Sequence, residues 1–171
     1  RLSGEPYRQL LLSLSALLVS EENASSPPQI VRDGIRDRII DALLGEARKL
    51  PYGLQACEVL GVIGDEAVRD ELTKLLDGWF VHRLIRVAAA AAVAKLGGEE
   101  GLLALRKATG HRKRDARGYA LECAGRLAEP TLLPVLYGVL QDPGDYHSDT
   151  AAYALGFVEN EESTLALERA L

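Results

Sequence analysis

The sequence predicts an all-α protein, a right-handed α-solenoid of stacked helical hairpins with about ten helices. Two observations carry this reading. One residue pattern returns four times in a single register. The apolar content rests on Ala, Leu and Gly, with aromatics at only 5%, which suits closely packed helices. Val, Ile and Thr form no period-2 run that would support a strand.

The pattern is anchored on Gly61, Ala94, Gly125 and Gly156, spaced by 33, 31 and 31 residues. Five residues before each anchor stands an alanine: Ala56, Ala89, Ala120 and Ala151. Two residues after stands an aliphatic: Ile63, Leu96, Leu127 and Val158. Eleven residues after stands Leu72, Leu105, Leu136 or Leu167. Each copy reads as two helices. The first spans Leu54 to Ile63, Arg83 to Leu96, Asp115 to Leu127 and Ser148 to Val158 in turn. Polar turns follow at residues 64–66, 97–100, 128–130 and 159–161, with glycine and acids as stop and start signals. Pro130 fits the first turn of its helix. The second helices carry apolar stripes at helical spacing, Val68, Leu72, Leu75 and Leu76 in one, Leu132, Val135, Leu136, Val139 and Leu140 in another. A lone hairpin cannot bury its apolar face, so stacking supplies the core. The copies run over about residues 51–81, 82–112, 113–145 and 146–171 as one continuous domain.

Residues 1–50 read as a divergent hairpin or cap, with helices at about Glu5 to Glu21 and Gln29 to Leu50 separated by Asn23-Ala24-Ser25-Ser26-Pro27-Pro28. The apolar stretch Leu10 to Val19 is shorter than the roughly 20 residues a membrane span needs. It reads as a buried first helix in preference to a signal peptide, since Glu5 precedes it and no small-x-small site follows. The chain opens on Arg1 and contains no Met, which suggests a piece of a longer protein. It stops inside a second helix with no polar cap, which suggests that the parent continues, that another chain covers this end, or that copies associate there. Cys57 and Cys123 read as small buried residues, without a disulfide framework or zinc spacing, in keeping with a reducing, cytoplasmic setting.

No P-loop, nucleophile elbow or metalloprotease motif is present. The run from Asp142 to Tyr153 lacks the Gly and Glu of a calcium loop. His82, His111 and His147 each fall in an inter-repeat turn, too far apart to share an ion, and read as solvated. The pattern therefore predicts neither catalytic residue, metal nor cofactor. Charge is uneven. From His82 to Arg117 nine Lys/Arg face three Asp/Glu, whereas residues 118–171 hold two and nine. The basic part, including Arg83, Arg106, Lys107, Arg112 and Arg114, suits phosphates or an acidic protein segment. A chain of net charge −5 is nonetheless a poor general nucleic-acid binder.

Trp79-Phe80 stands in a turn about three residues longer than the one at Asp142. One of the two aromatics is expected to pack into the core, the other to stand out as a binding anchor. Positions following the recurrent Leu, Thr73-Lys74, Arg106-Lys107, Tyr137-Gly138 and Glu168-Arg169, are expected to line a concave groove. The candidate binding residues are thus Lys74, Trp79, Phe80, Arg83, Arg106, Lys107, Arg112, Arg114 and Tyr137.

The segments Arg86-Val87-Ala88-Ala89 with Lys95-Leu96-Gly97, Arg117-Gly118-Tyr119-Ala120 with Ala124-Gly125-Arg126-Leu127, and Leu140-Gln141-Asp142-Pro143 before Ala151-Ala152-Tyr153-Ala154-Leu155-Gly156 resemble HEAT-like repeats. The similarity is to the short bacterial kind, found also in phycobilisome lyase subunits, and covers about residues 51–171. It implies a turn Asp, here Asp142, laddered with a helix-start Arg, here Arg86 and Arg117; His111 and Ser148 depart from that pattern. It also implies a non-enzymatic scaffold that binds another protein through its concave face and inter-repeat turns. A bilin lyase-like subunit and a HEAT-like nucleic-acid binder are the alternatives it leaves open.

Overall fold

In a computed structural model of the chain, residues 35–170 are described, together with Gln9 and Ser13. The described residues are all-helical, with nine helices among them. These are α1 (Ile35–Glu46), α2 (Tyr52–Ile63), α3 (Glu66–Leu76), α4 (Arg83–Lys95), α5 (Glu99–Ala108), α6 (Arg114–Leu127), α7 (Leu133–Gln141), α8 (Ser148–Leu155) and α9 (Glu161–Ala170). Of the helix expected over Glu5 to Glu21, only Gln9 and Ser13 are described. Both are helical, and the Ser13 hydroxyl donates to the Gln9 carbonyl at 2.9 Å. No helix among the described residues is long and apolar enough to cross a membrane.

The helix boundaries follow local chemistry. Asp65 caps α3 by accepting from the Val68 N–H at 3.1 Å, and His82 caps α4 by accepting from Leu84 N–H through Nδ1 at 3.3 Å. Leu96 ends α4, and Gly97 then turns left-handed at φ 82°. Three residues after the next anchor, Ala128 takes the same left-handed region at φ 52° and ends α6. Pro130 lies outside a helix, contrary to expectation. The Leu132 N–H bonds to the Glu129 carbonyl at 2.9 Å, closing a turn over these residues, so α7 begins at Leu133 with Pro134 in its first turn.

The chain divides into two compact units, Arg1–Gly101 and Leu102–Leu171. In the first, α2 packs along α4, α3 against α4, and α1 against α2. In the second, α6 packs along α8 and α7 against α8, with α9 against both α7 and α8. One close contact occurs in each unit at the same pattern position. A Cβ on Gly61 would stand 2.9 Å from Ala92 Cα, and one on Gly125 would stand 2.7 Å from Ala154 Cα. Ala92 and Ala154 each lie two residues before the next anchor. Glycine lets helix backbones meet where any side chain would hold them apart.

Ala56, Ala89, Ala120 and Ala151, five residues before the anchors, are all buried, and Leu72, Leu105 and Leu136 are fully so. Leu167 is only half-buried, on the last helix. In α3 the buried set Val68, Leu72 and Leu75 keeps i, i+4, i+7 spacing, with charged residues opposite. Cys57 and Cys123 are buried and form no disulfide with one another, and burial pushes the Cys57 thiol up to about 12.

Candidate functional site

The turn from α3 to α4 is the most exposed apolar feature among the described residues. The helix stops at Leu76, and the Val81 N–H donates to the Gly78 carbonyl at 3.1 Å. That bond closes a four-residue turn with Trp79 and Phe80 at its two central positions. Trp79 is 87% exposed and Phe80 98%. The expectation that one of them packs into the core is therefore overturned. The half-buried Val81 folds back over Gly78, so close that a Cβ there would collide with it, and takes the inward position.

Around this turn lie three charged or polar side chains with defined partners. Lys74 pairs with Glu71 one turn earlier on α3. The Arg83 guanidinium lies 3.5 Å from His82 Nε2. Arg86 donates through Nε to the Val81 carbonyl at 3.1 Å, tying the helix start to the turn behind the aromatics. The residues behind Trp79 and Phe80 are thus held, while the two rings face solvent.

The remaining candidates lie in the second unit. Arg106 and Lys107 are exposed on the last turn of α5, where cations favour the helix dipole. Arg112 is exposed just before α6. Arg114 lies over the Tyr146 ring at 4.1 Å from its centroid, a cation–π contact. Tyr137 is half-buried, its hydroxyl 3.0 Å from the fully buried Ser163 hydroxyl. The first unit thus places Trp79 and Phe80 in one turn with Arg83 at the start of the helix that follows, and the second pairs Arg114 with Tyr146 and Tyr137 with Ser163.

The turn from α7 to α8 holds the best-defined polar cluster. Asp142 Oδ1 accepts from Gly144 N–H at 2.9 Å and Asp145 Oδ1 from His147 N–H at 2.9 Å. Asp145 also receives both terminal nitrogens of Arg117, and Arg117 Nε reaches the Thr109 carbonyl at 3.0 Å. The carboxylate partner of Arg117 is therefore Asp145, not Asp142. Asp142 is occupied with its own turn, and three more residues bring the chain back to α6. Arg86 and Arg117, both eight residues before an anchor, share the bond from Nε to a preceding turn carbonyl.

His147 is buried, only 5% exposed, and not solvated as its place in a turn suggested. Its ring lies on Gly118, where an added Cβ would come within 3.1 Å of Cε1. The glycine in mid-helix is the sequence signal that room was needed there. His147 Nε2 has no hydrogen-bond partner. Burial, then the Arg117 charge, hold its pKa below the usual histidine value, with Asp145 opposing and Arg114 adding. The Arg117 hydrogen bond, then the His147 backbone N–H, hold the Asp145 carboxyl below the ordinary carboxylate range. This cluster braces a turn.

Between α7 and α9 runs an open groove of about 560 Å³. Tyr137, Leu165 and Ala166 line it together with Gln141, Glu161 and Glu162, and Arg169 stands at its far end. No group of three or more His, Cys, Asp or Glu side chains among the described residues could hold a metal ion. No family model matches the chain, and no curated protein is significantly similar to it.

Proposed function

We propose that the chain is an α-solenoid of HEAT-like repeats that binds another protein, with Trp79 and Phe80 as the principal anchors. One observation carries the binding role. Two adjacent large aromatics stand 87% and 98% exposed on a turn closed by the Val81 to Gly78 backbone bond and tied to α4 through Arg86. Leaving both rings in water forgoes about 1.5–3 kcal/mol of burial apiece. Trp is enriched among residues that dominate binding energy, and a tied turn loses little freedom on docking.

The repeat reading draws support from like positions behaving alike in the two units. The anchor glycine meets the residue two before the next anchor, the anchor-minus-five alanine is buried, and the anchor-minus-eight arginine ties back to a turn carbonyl. Of the basic residues that could face a phosphate backbone, Arg114 and Arg117 are engaged with Tyr146 and Asp145, which favours a protein partner over nucleic acid.

Immobilised wild-type chain and a Trp79→Ser/Phe80→Ser variant, exposed to lysate of the source organism, test this reading. The expected result is a discrete protein captured by the wild type and lost from the variant at equal melting temperature. Equal capture by both would remove the turn as the docking site.

A further inference from the structure

We propose that the groove between α7 and α9 of one molecule receives the Trp79–Phe80 turn of a second copy of this chain. The inference rests on the docking role of that turn and names one occupant for it.

The groove has the chemistry of a receptor for an apolar group followed by cations. Leu165, 42% exposed, lines it beside Ala166 on α9. Tyr137 forms one wall, fixed by its bond to Ser163. Glu161 and Glu162 line the groove and are exposed, against one lining cation, Arg169, in a segment, residues 118–171, that holds nine acids and two bases. The volume of about 560 Å³ falls in the range of pockets that enclose small-molecule-sized groups, roughly 300–1,000 Å³.

The chain itself carries a segment of matching chemistry. Trp79 and Phe80 are followed by His82, Arg83 and Arg86, the start of a stretch with nine bases and three acids. The other exposed aromatics among the described residues are already covered in part. Tyr146 lies under Arg114, and Tyr153 and Phe157 pack edge to face, with Arg126 over Phe157. Trp79 and Phe80, at 87% and 98% exposed, are the least covered aromatics among the described residues.

Each copy then has one turn to give and one groove to fill. Two copies that exchange turns form a two-fold pair; otherwise the contact is heterologous and successive copies form a ring or an open chain. Opposite charge across it makes association weaken as salt is raised.

Sedimentation velocity over about 10 μM to 1 mM at low salt tests the proposal, since a weak specific contact is populated within that range. The expected result is an average mass that rises with concentration for the wild type. Trp79→Ser/Phe80→Ser, which lacks the turn anchors, and Leu165→Arg, which blocks the groove, each stay monomeric. Both sites are solvent-exposed, and circular dichroism melts verify the fold. Mixing the two variants restores one intact turn and one intact groove, so the mixture forms a 1:1 heterodimer and nothing larger. A wild type that stays monomeric at about 1 mM, a Leu165→Arg variant that associates like the wild type, or a mixture that stays monomeric would each overturn the proposal. Leu165→Arg keeps its aromatic turn, so continued capture of a lysate protein by it would sustain the docking role of that turn even where self-association fails.

Discussion

Gly125→Ala places a methyl where two helix backbones meet. The added Cβ would lie 2.6 Å from the Ala154 carbonyl carbon and 2.7 Å from its Cα, whereas carbon atoms rest at about 3.5–4.0 Å. Helix α8 would have to move by roughly 1 Å, because a backbone has no rotamer into which to escape. Overpacking of this kind costs about 1–3 kcal/mol, and the backbone partner places this site toward the upper end. Ala is a better helix former than Gly by about 1 kcal/mol, which offsets part of the loss. The net expectation is a destabilisation of about 1–2 kcal/mol, or a melting temperature lower by roughly 2–8 °C. Gly138→Ala is the matched control. It is an exposed helical glycine with nothing within 4 Å of an added Cβ, so it gains up to about 1 kcal/mol. Thermal melts by circular dichroism read both variants. A Gly125→Ala chain as stable as Gly138→Ala would refute the close approach of α6 and α8.

Ala128→Gly relieves a left-handed backbone that costs an L-residue about 1–2 kcal/mol, and should raise stability by up to about 1 kcal/mol after the entropy of the unfolded glycine. Gly97→Ala at the equivalent position should lower it by a similar amount, and melts with opposite signs are the check. Stability should also fall with acid in two stages. The native pKa of His147 lies below its ordinary 6.5, so the unfolded chain binds more protons, and stability declines as pH falls from about 6.5 toward the native value. Asp145 adds a loss below about pH 3.8, as its carboxylate leaves Arg117. In urea titrations at successive pH values, His147→Gln should lack the first stage; a decline between pH 6.5 and 5 identical to wild type would contradict the assignment. Cys57, with its thiol pushed up to about 12, should react with a thiol reagent at pH 8 only on unfolding, and rapid labelling of the native chain at that residue would place it at the surface instead.

Helix placement was legible because apolar periodicity and cap residues act locally. Val68, Leu72 and Leu75 declare one face of α3 without reference to the rest of the chain. The recurrent alanines were legible as well, since small residues return wherever helices meet closely. The turns were harder to read. Asp142 and Asp145 are chemically alike and three residues apart, and only the path of the backbone decides which reaches Arg117. His147 looked like a turn residue, and its burial depends on the space over Gly118 across the helix pair. For Trp79 and Phe80, hydrophobicity argued for the core. A single backbone bond from Val81 to Gly78 turned both rings outward, which no pattern of residue types encodes.

Trp79 is the only tryptophan in the chain, so its fluorescence reports directly on the turn assigned to docking. In dilute solution the emission should match that of tryptophan in water and be quenched by acrylamide almost as readily. On adding the captured partner, or on concentrating the chain itself, the emission should shift to the blue and the quenching fall, as the indole leaves water. Emission already blue and shielded in the dilute monomer, or unchanged when a partner is bound at saturation, would contradict the exposed aromatic turn as the place where this protein binds.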